Sequence, residues 1–237
     1  MNATVEACEL YRFYRAGDEE VRALRGVSLR VCAGEFVAVV GPSGSGKSTL
    51  LACLAGLDEP DGGQVRIGGV RLSHRPESER AAARAATIGV LFQSGNLVEH
   101  LSVRANIDLA QRLCSRGGQS GKRRFAQPAR PLPDQSVREA LLTSLHLTGR
   151  ATAQPSQLSG GEAVRAGLAV ALAGAPALLL ADEPTGELDE ATEADVLLLL
   201  RAQARASRAV VVASHSPALA AAADRVIELH DGMIAGG

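Results

Sequence analysis

The stretch Phe36-Val37-Ala38-Val39-Val40-Gly41-Pro42-Ser43-Gly44-Ser45-Gly46-Lys47-Ser48-Thr49-Leu50-Leu51-Ala52-Cys53-Leu54 decides the fold. An apolar run enters a glycine-rich loop of the pattern G-x-x-x-x-G-K-[ST], and a helix-like segment leaves it, which is the context the motif requires. Glycines 41, 44 and 46 let the backbone curl so that its N–H groups, with the positive end of the following helix, meet phosphate oxygens. Lys47 then reaches the outer phosphates of a nucleoside triphosphate, and the Ser48 hydroxyl is offered to Mg²⁺.

Outward from this loop the chain alternates strands and helices. Val27 to Val31, Phe36 to Val40 and Gln64 to Ile67 read as strands, and their turns at Gly34-Glu35 and Gly68-Gly69 predict a small antiparallel N-terminal sheet. Later strands are apolar runs with helical stretches between them: Ile88 to Phe92, Ala177 to Ala181, Ala209 to Ala213 and Arg225 to Leu229. Parallel strands buried on both faces have that composition, so the fold class is α/β. From about Ser94 to Gln157 the chain reads as helix and loop, an inserted helical subdomain. Within it Ser115 to Asp134 is rich in Gly, Pro, Ser and Gln and carries Arg116, Lys122, Arg123, Arg124 and Arg130; a surface loop is the plain reading and contact with anionic lipid the sharper one.

Composition excludes several classes. A chain of 237 residues with 46% hydrophobic content can bury a sizeable core, and a net charge of −1 gives no bulk attraction to nucleic acid or membrane. The longest apolar run, Leu168 to Ala181, is too short for a bilayer span and contains Gly174 and Pro176. With Glu6 and Glu9, the N-terminus lacks the build of a signal peptide, so a cytoplasmic location is expected. Cys8, Cys32, Cys53 and Cys114 show no metal or disulfide spacing.

Two further motifs carry chemistry. In Leu158-Ser159-Gly160-Gly161-Glu162, Ser159 and Glu162 form a capping box that starts a helix running to about Ala173. Capping does not require Gly160-Gly161, which cost helix stability but let a phosphate approach bare N–H groups. One chain then has two phosphate-reading surfaces, which suggests two chains sharing nucleotide. The run Leu178-Leu179-Leu180-Ala181 ends in Asp182-Glu183, placing two carboxylates at the carboxyl edge of a buried strand, where open α/β sheets put ligands.

On these motifs and their order, the chain resembles the ATP-binding cassette subunit of ABC transporters over essentially its whole length. The resemblance implies one cassette domain over residues 1–237, a P-loop core with a mainly parallel sheet and an antiparallel β subdomain (about 1–93 and 162–237) and a helical subdomain (about 94–161). It implies ATP and Mg²⁺ as ligands, with Tyr14 stacking on the adenine and Tyr11 or Phe13 as alternative platforms. Gln93 would touch Mg²⁺ and the attacking water, Asp182 would hold Mg²⁺ through water, and Glu183 would accept the water's proton. His215 would contact the γ-phosphate, Asp189 in Gly186-Glu187-Leu188-Asp189 would cross a dimer interface, and Ser159 to Glu162 would close over ATP held by a second copy.

Gly56 to Gly63, Ile88 to Leu97 and Ala181 to Asp189 look like the lipoprotein-releasing, macrolide-efflux and cell-division group. That implies an ATP-hydrolysing subunit driving a separately encoded membrane permease from the cytoplasmic face, exporting or extracting a lipid-like, peptide or drug substrate, or else transmitting force to a cell-wall or division partner. A cassette acting on DNA or ribosomes is not expected, and a weakly hydrolysing ATP switch is a third reading. Two departures stand out. Ala163 to Leu172 lacks the glutamines and the later arginine usual after the signature, and Ser216-Pro217 follows the histidine where an aspartate is usual. A residue before proline avoids the α region, so Ser216 is expected to hold its loop differently.

Overall fold

A computed structural model describes residues 3–16, 19–117 and 133–235. The chain opens with β1 (Ala3–Ala16) and β2 (Glu19–Cys32), continues through β3 (Phe36–Val40), α1 (Lys47–Leu54), β4 (Gly62–Ile67), β5 (Val70–Arg71) and α2 (Glu77–Thr87), and reaches β6 (Ile88–Leu91). After it come α3 (Val103–Gly117), α4 (Gln135–Ser144), α5 (Gly160–Leu172), β7 (Leu178–Asp182), α6 (Glu190–Arg205), β8 (Ala209–Ala213), α7 (Pro217–Ala222), β9 (Arg225–His230) and β10 (Met233–Ile234).

Two sheets organise these elements. Strands β2-β1-β4-β5 form an antiparallel sheet, and β10-β9-β3-β8-β7-β6 form the core sheet. In the core sheet β3 runs parallel to β8 and β9, β7 parallel to β6 and β8, and only β10 is antiparallel to its neighbour. The antiparallel sheet expected from the sequence exists, but Phe36–Val40 is not part of it. Its side chains are buried on both faces, Val37 and Val39 toward α1 and the antiparallel sheet, Phe36 and Ala38 toward the other helices. A strand with no polar face cannot serve in a one-sided sheet, so it takes a central parallel position. The missing partner of β2 is β1, whose alternation is broken by register shifts between Ala7 and Leu10 and between Arg12 and Phe13.

The same two-sidedness recurs in β7 and β8. Leu178, Leu180, Val211 and Ala213 join one apolar cluster, and Leu179, Ala181, Val210 and Val212 the other. Each of the buried valines and leucines contributes about 1.5–3 kcal/mol on burial, so two clusters sharing one sheet hold its strands in register. Strand order then does the functional work: β3, β8, β7 and β6 are neighbours, so the segments leaving their carboxyl ends emerge side by side on one edge.

Most of the basic run within Ser115 to Asp134 lies outside the described residues; at its end Asp134 caps α4 by accepting from the Ser136 N–H at 2.9 Å. Among the described residues no helix is long and apolar enough to cross a membrane.

Candidate active site

Four neighbouring strand ends build one cleft of about 910 Å³, lined among others by Tyr14, Gly41, Pro42, Ser43, Gly44, Gly46, Lys47, Ser48, Thr49, Gln93, Glu183 and His215. The loop from Gly41 to Gly46 leaves β3, Gln93 follows β6, Glu183 follows β7 and His215 follows β8. Residues far apart in sequence meet here because parallel strands put their loops on one edge.

Glycine is required at two points of the loop. At Gly41, φ is 152° and a Cβ would lie 2.1 Å from the Leu229 carbonyl oxygen. At Gly46, φ is 101° and a Cβ would lie 2.3 Å from the Ala23 carbonyl oxygen. The loop therefore wraps tightly, and Lys47, largely buried, turns its ammonium back to the carbonyls of Gly41 and Pro42 at 2.9 and 3.0 Å. Ser45 does not line the cleft; its buried hydroxyl sits behind the loop without a partner.

Asp182 stands behind the cleft, its carboxylate hydrogen-bonded to Ser48. Burial and, secondarily, the charge of Glu183 push its carboxyl above the usual range, against the opposing pull of the Ser48 bond and Lys47. One carboxylate oxygen, Oδ1, is buried without any partner. A buried acid with an unmet acceptor beside a hydroxyl is a fitting donor set for a hard divalent cation such as Mg²⁺, which takes oxygen ligands and keeps several waters.

Glu183 adopts a positive φ of 45°, unusual for a residue with a side chain and typical of positions held by function rather than by local preference. Its N–H donates to the Ala213 carbonyl at 2.9 Å, which pins β7 to β8 at that point. The carboxylate accepts from the Ser214 hydroxyl at 2.9 Å and lies 3.1 Å from His215 Nδ1. The His215 side chain is 71% exposed while that of Glu183 is 16% exposed, so the carboxylate is sheltered and the imidazole beside it borders the open cleft.

Tyr14 lines the cleft, and Tyr11 and Phe13 do not. Tyr11 and Phe13 pair with ring centroids 6.3 Å apart, and Tyr11 covers Gly26 and Gly62. Around Tyr14 the structure builds a support that sequence reasoning missed: Arg12 lies 4.6 Å over its ring, and its hydroxyl donates to Asp58. Arg12 also bonds Asp58 at 2.8 and 2.9 Å. Burial pushes the Asp58 carboxyl up, but the bonds from Arg12 and Tyr14 and the Arg12 charge outweigh it and hold it below the usual aspartate range. A lowered folded pKa means that this contribution is complete above the unfolded value of about 4 and is lost as pH falls through the folded one. The Tm difference between wild type and Asp58→Asn should therefore be largest near about pH 6 and shrink toward about pH 3 in a thermal-melt series. A constant difference across that range would remove the charge-based account.

The remaining expected residues lie apart from the cleft. Ser159 and Glu162 form the capping box of α5, at 3.3 Å from the Glu162 N–H to Ser159 and 2.9 Å from the Ser159 N–H to Glu162. Gly161 is buried, and a Cβ there would lie 2.3 Å from Thr192 Cγ2, so close packing of α5 on α6 explains that glycine. Gly160 instead borders a second cleft of about 350 Å³ shared with Gln93, Glu183 and Leu188. Asp189 caps α6, accepting from the Thr192 N–H at 3.0 Å and its hydroxyl at 2.8 Å. Ser216 is extended, with φ −72° and ψ 124°, and caps α7 with Pro217 in its first turn, which is how the Ser216-Pro217 departure is accommodated.

A glycine-rich loop, a buried acid, a sheltered glutamate and an exposed histidine on one edge of a mostly parallel sheet define a P-loop nucleotide-binding cassette. The family model described as ABC transporter matches residues 24–186, and the chain belongs to that family. It is 39% identical over 234 residues to the macrolide export ATP-binding/permease protein MacB of Salmonella typhi, covering 99% of this chain and 34% of that protein. The MacB protein of Nitrobacter winogradskyi is 39% identical over 230 residues, 97% of this chain and 34% of that protein. The chain thus spans about a third of the length of these relatives. Among solved structures, the dimeric post-hydrolysis state of the ATP-binding cassette MJ0796 bound to ADP and Pi superposes with a TM-score of 0.83 at 33% identity, covering 98% of this chain and 96% of that one.

Proposed function

We propose that this chain is the ATP-hydrolysing subunit of an ABC transporter, working as a two-copy sandwich that drives a membrane permease. The observation that carries the reading is the convergence of Lys47, Ser48, Gln93, Glu183 and His215 on one cleft, with the unpartnered Asp182 oxygen behind it.

ATP lies with its adenine against Tyr14 and its phosphates in the Gly41 to Thr49 loop, where Lys47 exchanges its two carbonyl partners for the outer phosphates. Ser48, Asp182 and Gln93 would hold Mg²⁺, which when bound neutralises phosphate charge. Glu183 takes the proton of a water as its oxygen bonds to the γ-phosphorus and the bond to the bridging oxygen breaks, releasing ADP and phosphate. His215 and Lys47 hold the developing γ-phosphate charge, the kind of preorganised stabilisation that dominates phosphoryl transfer.

Ser159 to Glu162 and Asp189 stand away from the chain's own phosphate loop, which supports a site completed by a second copy; the MJ0796 cassette is likewise dimeric. The segment of about residues 94–161, helical over much of what is described, is then a subdomain with the signature at its end. The substrate is a lipid-like, peptide or drug molecule, in keeping with the macrolide export function of the MacB relatives, and the chain sits on the cytoplasmic face of the membrane through the permease. ATP hydrolysis by the purified chain, with mass followed by light scattering in MgATP, tests the core of this reading. Phosphate release with an ATP-dependent mass increase is expected; a mass increase without phosphate release would mark an ATP switch, and neither would occur if the cleft did not bind ATP.

Tyr14→Ala should weaken ATP binding roughly tenfold, since base–aromatic stacking typically contributes about 1–3 kcal/mol. Tyr11→Ala should leave affinity close to wild type, and fluorescent-nucleotide titration distinguishes the two.

A further inference from the structure

Ser214 is fully buried at the end of β8, between the strand and His215. Its hydroxyl donates to Glu183 Oε2 at 2.9 Å and accepts the Ser216 N–H at 3.1 Å, while its own N–H donates to the Val39 carbonyl at 3.1 Å. The Ser216 amide occupies a lone pair of the hydroxyl, so the hydroxyl proton is aimed at the carboxylate. A second layer lies behind. Glu193, in the first turn of α6, accepts at one oxygen from the Ser216 hydroxyl at 2.6 Å and from the Thr185 hydroxyl at 2.9 Å. Thr185 is buried two residues after Glu183, and Ser216 directly follows His215. One carboxylate thus joins the loop that carries the glutamate to the loop that carries the histidine.

We propose that Ser214 and Glu193 are positioning residues for hydrolysis: Ser214 fixes the rotamer of the Glu183 carboxylate, and the Thr185–Glu193–Ser216 bridge holds the His215 loop against it. The inference rests on the ATPase reading of the cleft. The Glu183 N–H to Ala213 bond fixes the backbone and the 3.1 Å approach of His215 Nδ1 joins the two side chains, while the Ser214 hydroxyl and the Glu193 bridge add the buried side-chain bonds that hold them in that pose. A water aligned by a wandering carboxylate reacts slowly even when ATP is bound normally. The loss belongs in kcat, because neither side chain lines the cleft beside Tyr14 and the glycine-rich loop.

The test is steady-state ATP hydrolysis by Ser214→Ala, Ser214→Thr, Glu193→Ala and Glu193→Gln, with Ser214→Ala repeated in the Glu183→Gln background. Removing a hydrogen bond to a charged group predicts a fall in kcat of about tenfold to a hundredfold for the two alanine variants, with KM for ATP within about twofold of wild type. Threonine and glutamine keep the hydroxyl and the acceptor and should recover most of the turnover. If Ser214 acts through Glu183, Ser214→Ala adds no further loss to Glu183→Gln. In the nucleotide-free protein the His215 ring resonances should also move in Ser214→Ala and stay in place in Glu183-directed rescue by Ser214→Thr. Wild-type turnover with unimpaired alanine variants, or a loss that appears in KM, overturns this inference alone. No turnover in the wild type overturns the ATPase reading and the inference with it.

Discussion

Glu183→Gln should bind MgATP as wild type does while its turnover falls by at least about a hundredfold, and an ATP-bound dimer should accumulate. The expectation follows from geometry. Glu183 is the sheltered carboxylate at the carboxyl end of β7, set 3.1 Å from His215 and bonded by Ser214, on a different segment from the Gly41 to Gly46 loop. The glutamine variant keeps the shape and accepts the Ser214 bond through its carbonyl, but it cannot take a proton. Losing general-base assistance commonly costs about a hundredfold to ten-thousandfold, and dimers that cannot complete hydrolysis have no route to open through product release. Phosphate release and light scattering measured on the same sample decide it. Turnover at the wild-type rate would remove Glu183 as the base and leave the proton to solvent.

Gly46→Ala should abolish measurable ATP binding by a different route. A Cβ at this position would lie 2.3 Å from the Ala23 carbonyl and 3.3 Å from a Leu24 methyl, with φ at 101°. Backbone on both sides must shift, and the residue displaced is the one immediately before Lys47. A positive φ on a residue with a side chain costs on the order of 1–3 kcal/mol, and the collision adds to it. A loss of affinity of at least about a hundredfold is expected with far-UV circular dichroism unchanged. Gly44→Ala is the informative comparison, because its Cβ meets nothing within 4 Å although its φ is 80°. It carries the strain without the collision and should lose less. Equal losses in the two variants would assign the effect to φ alone.

The site was legible in sequence to the extent that its parts are local. The phosphate loop, the acids ending an apolar strand and the capping box each declare themselves within a few residues, since the backbone geometry each requires is set by its own glycines, caps and strand ends. What could not be read is what depends on partners distant in the chain. Tyr11, Phe13 and Tyr14 are equivalent as aromatics near a strand, and only the packing of Tyr11 on Gly26 and Gly62 turns it away while Arg12 and Asp58 support Tyr14. Ser214 and Glu193 carry no motif at all. The sequence reads Gly161 as part of a phosphate surface, and it does not announce the second constraint on that glycine, the Thr192 methyl that would lie 2.3 Å from a Cβ there.

Sequence by itself determined the class of fold, the alternation of strands and helices, and the glycine-rich loop and strand-end acids that the cleft gathers, because periodicity, glycine placement and strand-end carboxylates act over one turn or one strand. Tertiary structure alone decided that Phe36–Val40 is a central parallel strand and that β1 completes the antiparallel sheet. It also decided that the ends of β3, β8, β7 and β6 stand side by side. Strand order is a property of which apolar faces can be buried together, and that is settled only when two clusters, drawn from residues up to the whole chain apart, close on the two sides of one sheet.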